Sequence, residues 1–116
     1  MANFLAILRA DPASYDSLPP DAFAALAAKF DVWAAPLLAE GRFLDGRKLT
    51  TDAARTVTRV ADRVHVKDGP FGETKEIVGG YHLIEADDYN HAVALLRTHP
   101  NLEFDLGSIE IRAVDG

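Results

Sequence analysis

Phe4, Ala6 and Leu8 alternate with Leu5 and Ile7 near the start of the chain, so apolar side chains fall on both faces of an extended segment. A period of two predicts a strand over residues 4–8, and apolar residues on both faces predict burial on both. The period then changes. Phe23, Leu26, Phe30, Trp33 and Leu37 recur at spacings of three and four, which places them on one stripe of a helix. Pro19-Pro20-Asp21 suits the start of that helix, because proline fits the first turn and an acid complements the N-terminal dipole. Gly41 suits its end. Pro36 removes a backbone donor and predicts a kink in the last turns, unless the helix restarts there. Aromatic residues at this spacing predict core rather than a cofactor pocket.

Arg42 to Leu44 opens a second strand. Arg55 to Val60 and Arg63 to Lys67 pattern as a hairpin about Ala61-Asp62, with Val64 and Val66 on one side of its second arm and Arg63, His65 and Lys67 on the other. Gly79 to Ala86 forms a further strand, apolar on both faces. Asp87-Asp88 caps a second helix that carries Tyr89, Ala92, Val93 and Leu96 and ends near His99-Pro100. Ser108 to Val114 is a last strand, alternating Ile109 and Ile111 with Glu110 and Arg112. Residues 11–17 and 100–106 are expected to be simple connecting loops.

The order is β-α-β, a hairpin, then β-α-β, which fits a ferredoxin-like split βαβ plan in the α+β class. Residues 1–116 form a single domain on this plan. Two helices on one sheet face leave the other face bare, yet the strands over residues 4–8 and 79–86 are apolar on both sides. A second copy of the chain is the simplest cover, which predicts a homodimer.

Composition narrows the functional classes. The chain has 116 residues, no cysteine and a formal net charge of −6. A disulfide framework and a thiolate metal site are therefore excluded, and a reducing cytoplasm is compatible. The negative charge, with lysines and arginines scattered, argues against nucleic acid as a partner. The Met1-Ala2-Asn3-Phe4 start lacks the basic region of a secretory signal, and no uninterrupted apolar run approaches the ~18 residues of a bilayer span, so no membrane is expected. No phosphate-cradling loop, dinucleotide fingerprint or nucleophile elbow is present, and no cofactor is expected.

The candidate chemistry lies in Asp68-Gly69-Pro70-Phe71-Gly72-Glu73-Thr74-Lys75-Glu76 and the Gly79-Gly80-Tyr81 that follows. Asp68-Gly69-Pro70 is turn chemistry: aspartate bonds backbone amides, glycine takes a positive φ, and proline sets the next φ. Phe71 anchors the loop. On one interpretation the segment is a rigid crossover, and on the other it edges a ligand cleft. The cleft would present Phe71, Glu73, Lys75 and Tyr81 to a small molecule, with Glu76 nearby. Paired glycines in a strand permit a bulge or the close approach of a ligand.

His82 shares a strand face with Ile84 and Ala86, where partial burial moves its titration through neutral pH. It is the candidate general base, with Asp68 its candidate partner. The alternative is a core-edge histidine satisfied by a backbone carbonyl. His65 belongs to a polar strand face. His91 can meet Asp87 or Asp88 one turn back. His99 is expected to finish its helix as a positive side chain at the negative end of the dipole. No two histidines have the spacing of a helical metal pair, so no metal site is expected.

The nine-residue run, the Leu18-Pro19-Pro20 entry, the Ala39-Glu40-Gly41 end and Gly80-Tyr81-His82-Leu83-Ile84-Glu85-Ala86 resemble the DGPF-type branch of the YCII-related family. The resemblance implies a dimeric α+β barrel built by two sheets meeting, and a link to sigma factors in transcriptional regulation. It also implies a His–Asp dyad with the histidine early in the first helix, where this chain has Asp21, Ala22, Phe23 and Ala24. That dyad does not carry over. Two functions follow as expectations. One is a small-molecule-binding module serving as a sensor or regulatory accessory. The other is a cofactor-independent acid–base enzyme, isomerase- or lyase-like, acting on a small organic acid or carbonyl compound.

Overall fold

The structure is a computed structural model that describes residues 2–50, 53–69 and 76–115, with the side chain of Tyr15 left aside. Strand β1 (Ala2–Ala10) leads through a short helix α1 (Ala13–Asp16) to the long helix α2 (Pro20–Ala39) and strand β2 (Phe43–Lys48). Strands β3 (Arg55–Val60) and β4 (Arg63–Asp68) form a hairpin. Strand β5 (Ile77–Ala86), helix α3 (Tyr89–Leu96), a 3₁₀ turn (Pro100–Glu103) and strand β6 (Ser108–Ala113) complete the chain.

Four strands build one antiparallel sheet in the order β2-β5-β1-β6, while β3 and β4 form a separate two-stranded sheet. This is the ferredoxin-like α+β plan. Along β1 the alternation predicted from sequence is obeyed: Phe4, Ala6, Leu8 and Ala10 are buried under the helices. Leu5 and Ile7 point to the other face, where they are half-buried with Leu83 of β5. In the β1–β5 ladder Leu8 faces Gly80 and Arg9 faces Val78, so Gly79 is the extra residue of a bulge.

The core gathers Phe4, Ala6, Trp33, Leu37, Ile84, Ala86, Ala92 and Leu96, with Ile109 and Ile111 packed against it. Trp33 ties the two main helices together, because its indole N–H donates to the Leu95 carbonyl at 2.9 Å. Tyr89 stacks edge-on against Phe4 with ring centroids 4.8 Å apart, and its hydroxyl accepts from the Ala113 amide. Asp88 caps α3 by accepting from the His91 amide at 2.8 Å.

Pro20 occupies the first turn of α2 as expected, and the helix continues through Pro36 to Ala39. The proline withdraws the donor that Val32 would have received, but Val32 lies on the exposed side, where water can serve its carbonyl. Gly41, at φ 71°, stops the helix. The Arg42 amide reaches back to the Leu37 carbonyl at 2.8 Å and the Gly41 amide to the Leu38 carbonyl at 3.1 Å, the paired bonds of a Schellman end.

Two expectations about the connecting segments need correction. The segment after β1 contains a helical turn, because the Ala13 amide donates to the Asp11 carboxylate at 3.0 Å and nucleates it. The segment after α3 contains a 3₁₀ turn rather than a simple loop. Buried Asn101 organises it by donating from its amide to the carbonyls of Arg9 and Ser108, both at 3.1 Å. Helix α2 as a whole, 20 residues with a mean hydropathy of 1.4, is by length and composition apolar enough to cross a membrane, although charges interrupt its apolar run. Its many alanines produce that value, while Trp33 and Leu37 pack into the core.

A cavity beneath the first half of the long helix

The stripe on α2 divides. Trp33 and Leu37 are buried, whereas Leu26 and Phe30 are half-buried and Phe23 is 46% exposed. The N-terminal half of the helix stands off the sheet because the sheet beneath it is bare. Gly46 of β2 and Gly79 and Gly80 of β5 supply no side chains to meet it. The result is a cavity of about 370 Å³ between α2, β2, β5 and the 3₁₀ turn. Leu8, Leu26, Phe30, Phe43 and Phe104 give it apolar walls, and His82, Asn101, Asp31, Arg47 and Lys48 supply polar groups.

The glycines are required sterically. A Cβ on Gly46 would lie 2.6 Å from both His82 Nδ1 and Phe43 Cζ. One on Gly80 would lie 2.8 Å from the Arg47 carbonyl oxygen. Each substitution would push material into or out of the cavity wall.

His82 sits in that wall in a cage of rings. It stacks on Trp33 with an interplanar angle of 24°, and Phe43 lies with its ring centroid 5.1 Å away. Its Nε2 is 2.8 Å from Nε2 of His99, the residue at the entrance to the 3₁₀ turn. Hydrogen-bond partners decide where the protons are. The Asn101 amide donates to His99 Nδ1 at 2.9 Å, so that nitrogen carries no hydrogen and the His99 proton is on Nε2. His99 therefore donates to His82 Nε2, and the His82 proton lies on Nδ1. Both rings are held neutral. Burial pushes the His99 imidazole down to about 3, with the neighbouring His82 adding to the effect. Burial likewise lowers His82, and the Tyr81 backbone opposes this only in part. His82 Nδ1 is buried and has no hydrogen-bond partner among the described residues.

This corrects the expectation for His99. It is 2% exposed and neutral, so it cannot serve as a surface cation at the end of α3. Proline after His99 turns the chain inward and buries the ring, edge-on to Trp33 with centroids 4.4 Å apart.

The other sequence candidates scatter. Tyr81 lies on the opposite face of β5 from His82, and its hydroxyl donates to Asp45 at 3.2 Å. Asp68 ends β4 with its side chain 89% exposed, ion-paired to Arg55 at 3.1 Å, and it does not line the cavity. The structure thus does not bring Asp68 and His82 together within one chain. Phe71, Glu73 and Lys75 lie outside the described residues, while the Glu76 carboxylate accepts from the Ser108 hydroxyl at 2.8 Å. His65 is exposed on the hairpin, and His91 meets Asp87 at 3.5 Å. Among the described residues no group of three or more histidines and carboxylates could hold a metal ion.

Sequence reasoning missed Gly46, His99, Asn101 and Phe104 as neighbours of the site. Nothing in their local pattern reports burial, since Gly46, Asn101 and Phe104 reach the cavity, and His99 reaches His82, only through the tertiary fold. The glycine pair of β5 was the one usable signal.

An α+β domain of ferredoxin-like topology, with a lateral cavity floored by glycines and a neutral histidine pair, is the class these features define. The chain belongs to the YCII-related family, whose domain model matches residues 2–115. The resemblance drawn from the motif is borne out at the level of that family. The chain is 38% identical over 66 residues to an uncharacterised protein of Rhizobium meliloti (strain 1021), a stretch that is 57% of this chain. It spans 53% of that protein, about half the length of the curated relative it matches.

Proposed function

We propose that this chain is a small-molecule-binding module whose ligand sits between the first half of α2 and the glycine-lined sheet. The cavity carries the proposal. About 370 Å³ of largely apolar space with a few convergent polar groups matches the size and chemistry of ordinary ligand sites. The acid–base alternative has less support, because the acceptor lone pair of His82 is already engaged by His99 and Asp68 stands elsewhere. The test is a thermal-shift screen against small organic acids and metabolites, repeated with His82→Ala and Asp68→Ala. A ligand of the folded state raises the melting temperature by mass action. A hit that survives Asp68→Ala and is lost in His82→Ala supports the cavity. The opposite pattern would move the site to the hairpin end and overturn the proposal.

The module is also proposed to be a cytoplasmic homodimer formed through the open sheet face. Half-buried Leu5, Ile7 and Leu83 support this, as no element among the described residues is seen to pack a helix layer over that face. Light scattering that gave the mass of a single chain at micromolar concentration would exclude the dimer. A sensing role linked to a sigma factor follows from the family resemblance, and co-purification with such a factor is its test.

A further inference from the structure

We propose that the ligand of this cavity is a neutral molecule with an apolar body and a hydroxyl or N–H group, and that this group donates to Oδ1 of Asn101 in the 3₁₀ turn. The proposal rests on the binding function above and adds the chemical class of the ligand.

Asn101 is held so that only its side-chain oxygen is left to offer. Its backbone N–H donates to His99 Nδ1 at 2.9 Å, and its backbone carbonyl accepts from the Phe104 amide at 3.3 Å. Both hydrogens on Nδ2 are in use, one on the Arg9 carbonyl and one on the Ser108 carbonyl. Those carbonyls fix which way the amide points, because the reversed amide would set an oxygen against two oxygens. Oδ1 itself accepts from no described residue.

Burial makes that oxygen a point of recognition. Asn101 is 7% exposed and lines the cavity, yet Oδ1 is not sealed from water as His82 Nδ1 is. An acceptor left open in an otherwise apolar wall calls for a donor from whatever fills the space. His82 does not compete for that role, since its Nε2 is engaged by His99 and its Nδ1 is closed.

The remaining lining sets the body and the charge. Leu8, Leu26, Phe30, Phe43 and Phe104 favour an aromatic or branched aliphatic body. Arg47, Lys48 and Asp31 are exposed, so the charges of the lining stay at its rim. Two cations against one acid there disfavour an ammonium, and the neutral Asn101 oxygen supplies it no countercharge. A carboxylate in its place would meet Oδ1 as a second acceptor. The group that fits is a hydroxyl or an amide-type N–H.

The test uses three probes of one shape: naphthalene, naphthol and methoxynaphthalene, titrated by calorimetry into the full chain. Naphthol is expected to bind about tenfold tighter than methoxynaphthalene, which keeps the oxygen and loses the hydrogen to donate. Asn101→Ala removes the acceptor, so in the folded variant the preference should shrink to less than about twofold while naphthalene still binds. Carbon-13 spectra of the unaltered chain give a second readout that needs no variant. The Asn101 Cγ signal should move with naphthol and stay in place with methoxynaphthalene. Equal binding of naphthol and methoxynaphthalene would overturn the ligand class while leaving the cavity as a binding site. A naphthol preference that left the Asn101 Cγ signal unmoved would overturn the assignment to Asn101. Failure of all three probes to bind would overturn the site itself.

Discussion

The two halves of α2 carry the same kind of residues at the same spacing and do different things. Trp33 and Leu37 close onto Phe4, Ile84 and Ala86 and form core. Phe23, Leu26 and Phe30, one to three turns earlier, overhang Gly46, Gly79 and Gly80 and bound a cavity. The helix does not distinguish the halves. The opposing sheet does, by offering side chains at one end and bare backbone at the other. An apolar stripe therefore specifies that a surface wants covering, and its partner determines whether it packs or encloses space.

The sharpest way to break this comparison is to truncate both ends. Trp33→Ala should destabilise by about 3–5 kcal/mol, since it removes a buried aromatic and its bond to Leu95. Phe23→Ala should change stability by less than about 1 kcal/mol, as expected for a half-exposed site. Urea unfolding measures both, and similar losses at the two positions would show that the halves are equivalent after all.

A second test uses pH. His99 is buried neutral, with its titration pushed down to about 3, and His82 is lowered in the same direction. The unfolded chain takes up these protons near pH ~6.5, so between there and about 3 it binds more protons than the folded one. Stability is thus full above neutral pH and falls with acidification. The slope approaches about 1.4 kcal/mol per pH unit for each histidine involved. Melting curves across this window should be flatter for His99→Gln. An unchanged slope in that variant would separate His99 from the acid response.

Filling the bare floor comes next in size. Gly46→Ala should lower stability by about 1–3 kcal/mol, because its Cβ forces His82 and Phe43 aside. The same variant should disturb the His82–His99 bond, visible in imidazole nitrogen shifts. Retention of both would mean the cavity wall yields more easily than its geometry implies. The smallest effect belongs to the exposed Lys29–Glu103 pair, 2.7 Å apart, which links the overhanging half of α2 to the 3₁₀ turn. Lys29→Ala should cost less than about 1 kcal/mol and the difference should fade at high salt, a comparison that melting curves at two ionic strengths provide.

Much of the architecture was legible from local pattern. The alternation at Phe4 to Leu8, the Pro19-Pro20-Asp21 entry, the Gly41 stop and the Asp88 cap are short-range effects, and each has its expected structural consequence. The glycines of β5 signalled a bulge and an open floor for the same reason. Of the polar groups at the site only His82 was legible. Its neighbour Tyr81 took the opposite face because strand side chains alternate, and Asp68 went to a separate hairpin. His99 looked like a surface cation because its sequence context carries the marks of a helix end and none of burial.

Sequence by itself determined the element order, the helix ends and the apolar faces, since those depend on backbone preferences and side-chain periodicity within a few residues. Family membership is likewise a property of the chain as a string. The tertiary structure alone decided that half of a uniform stripe becomes core and half a cavity. It also decided that two histidines 17 residues apart share one hydrogen bond and stay neutral. Those outcomes arise from burial and from which strands lie opposite the helix, quantities that exist only once distant segments have been brought together.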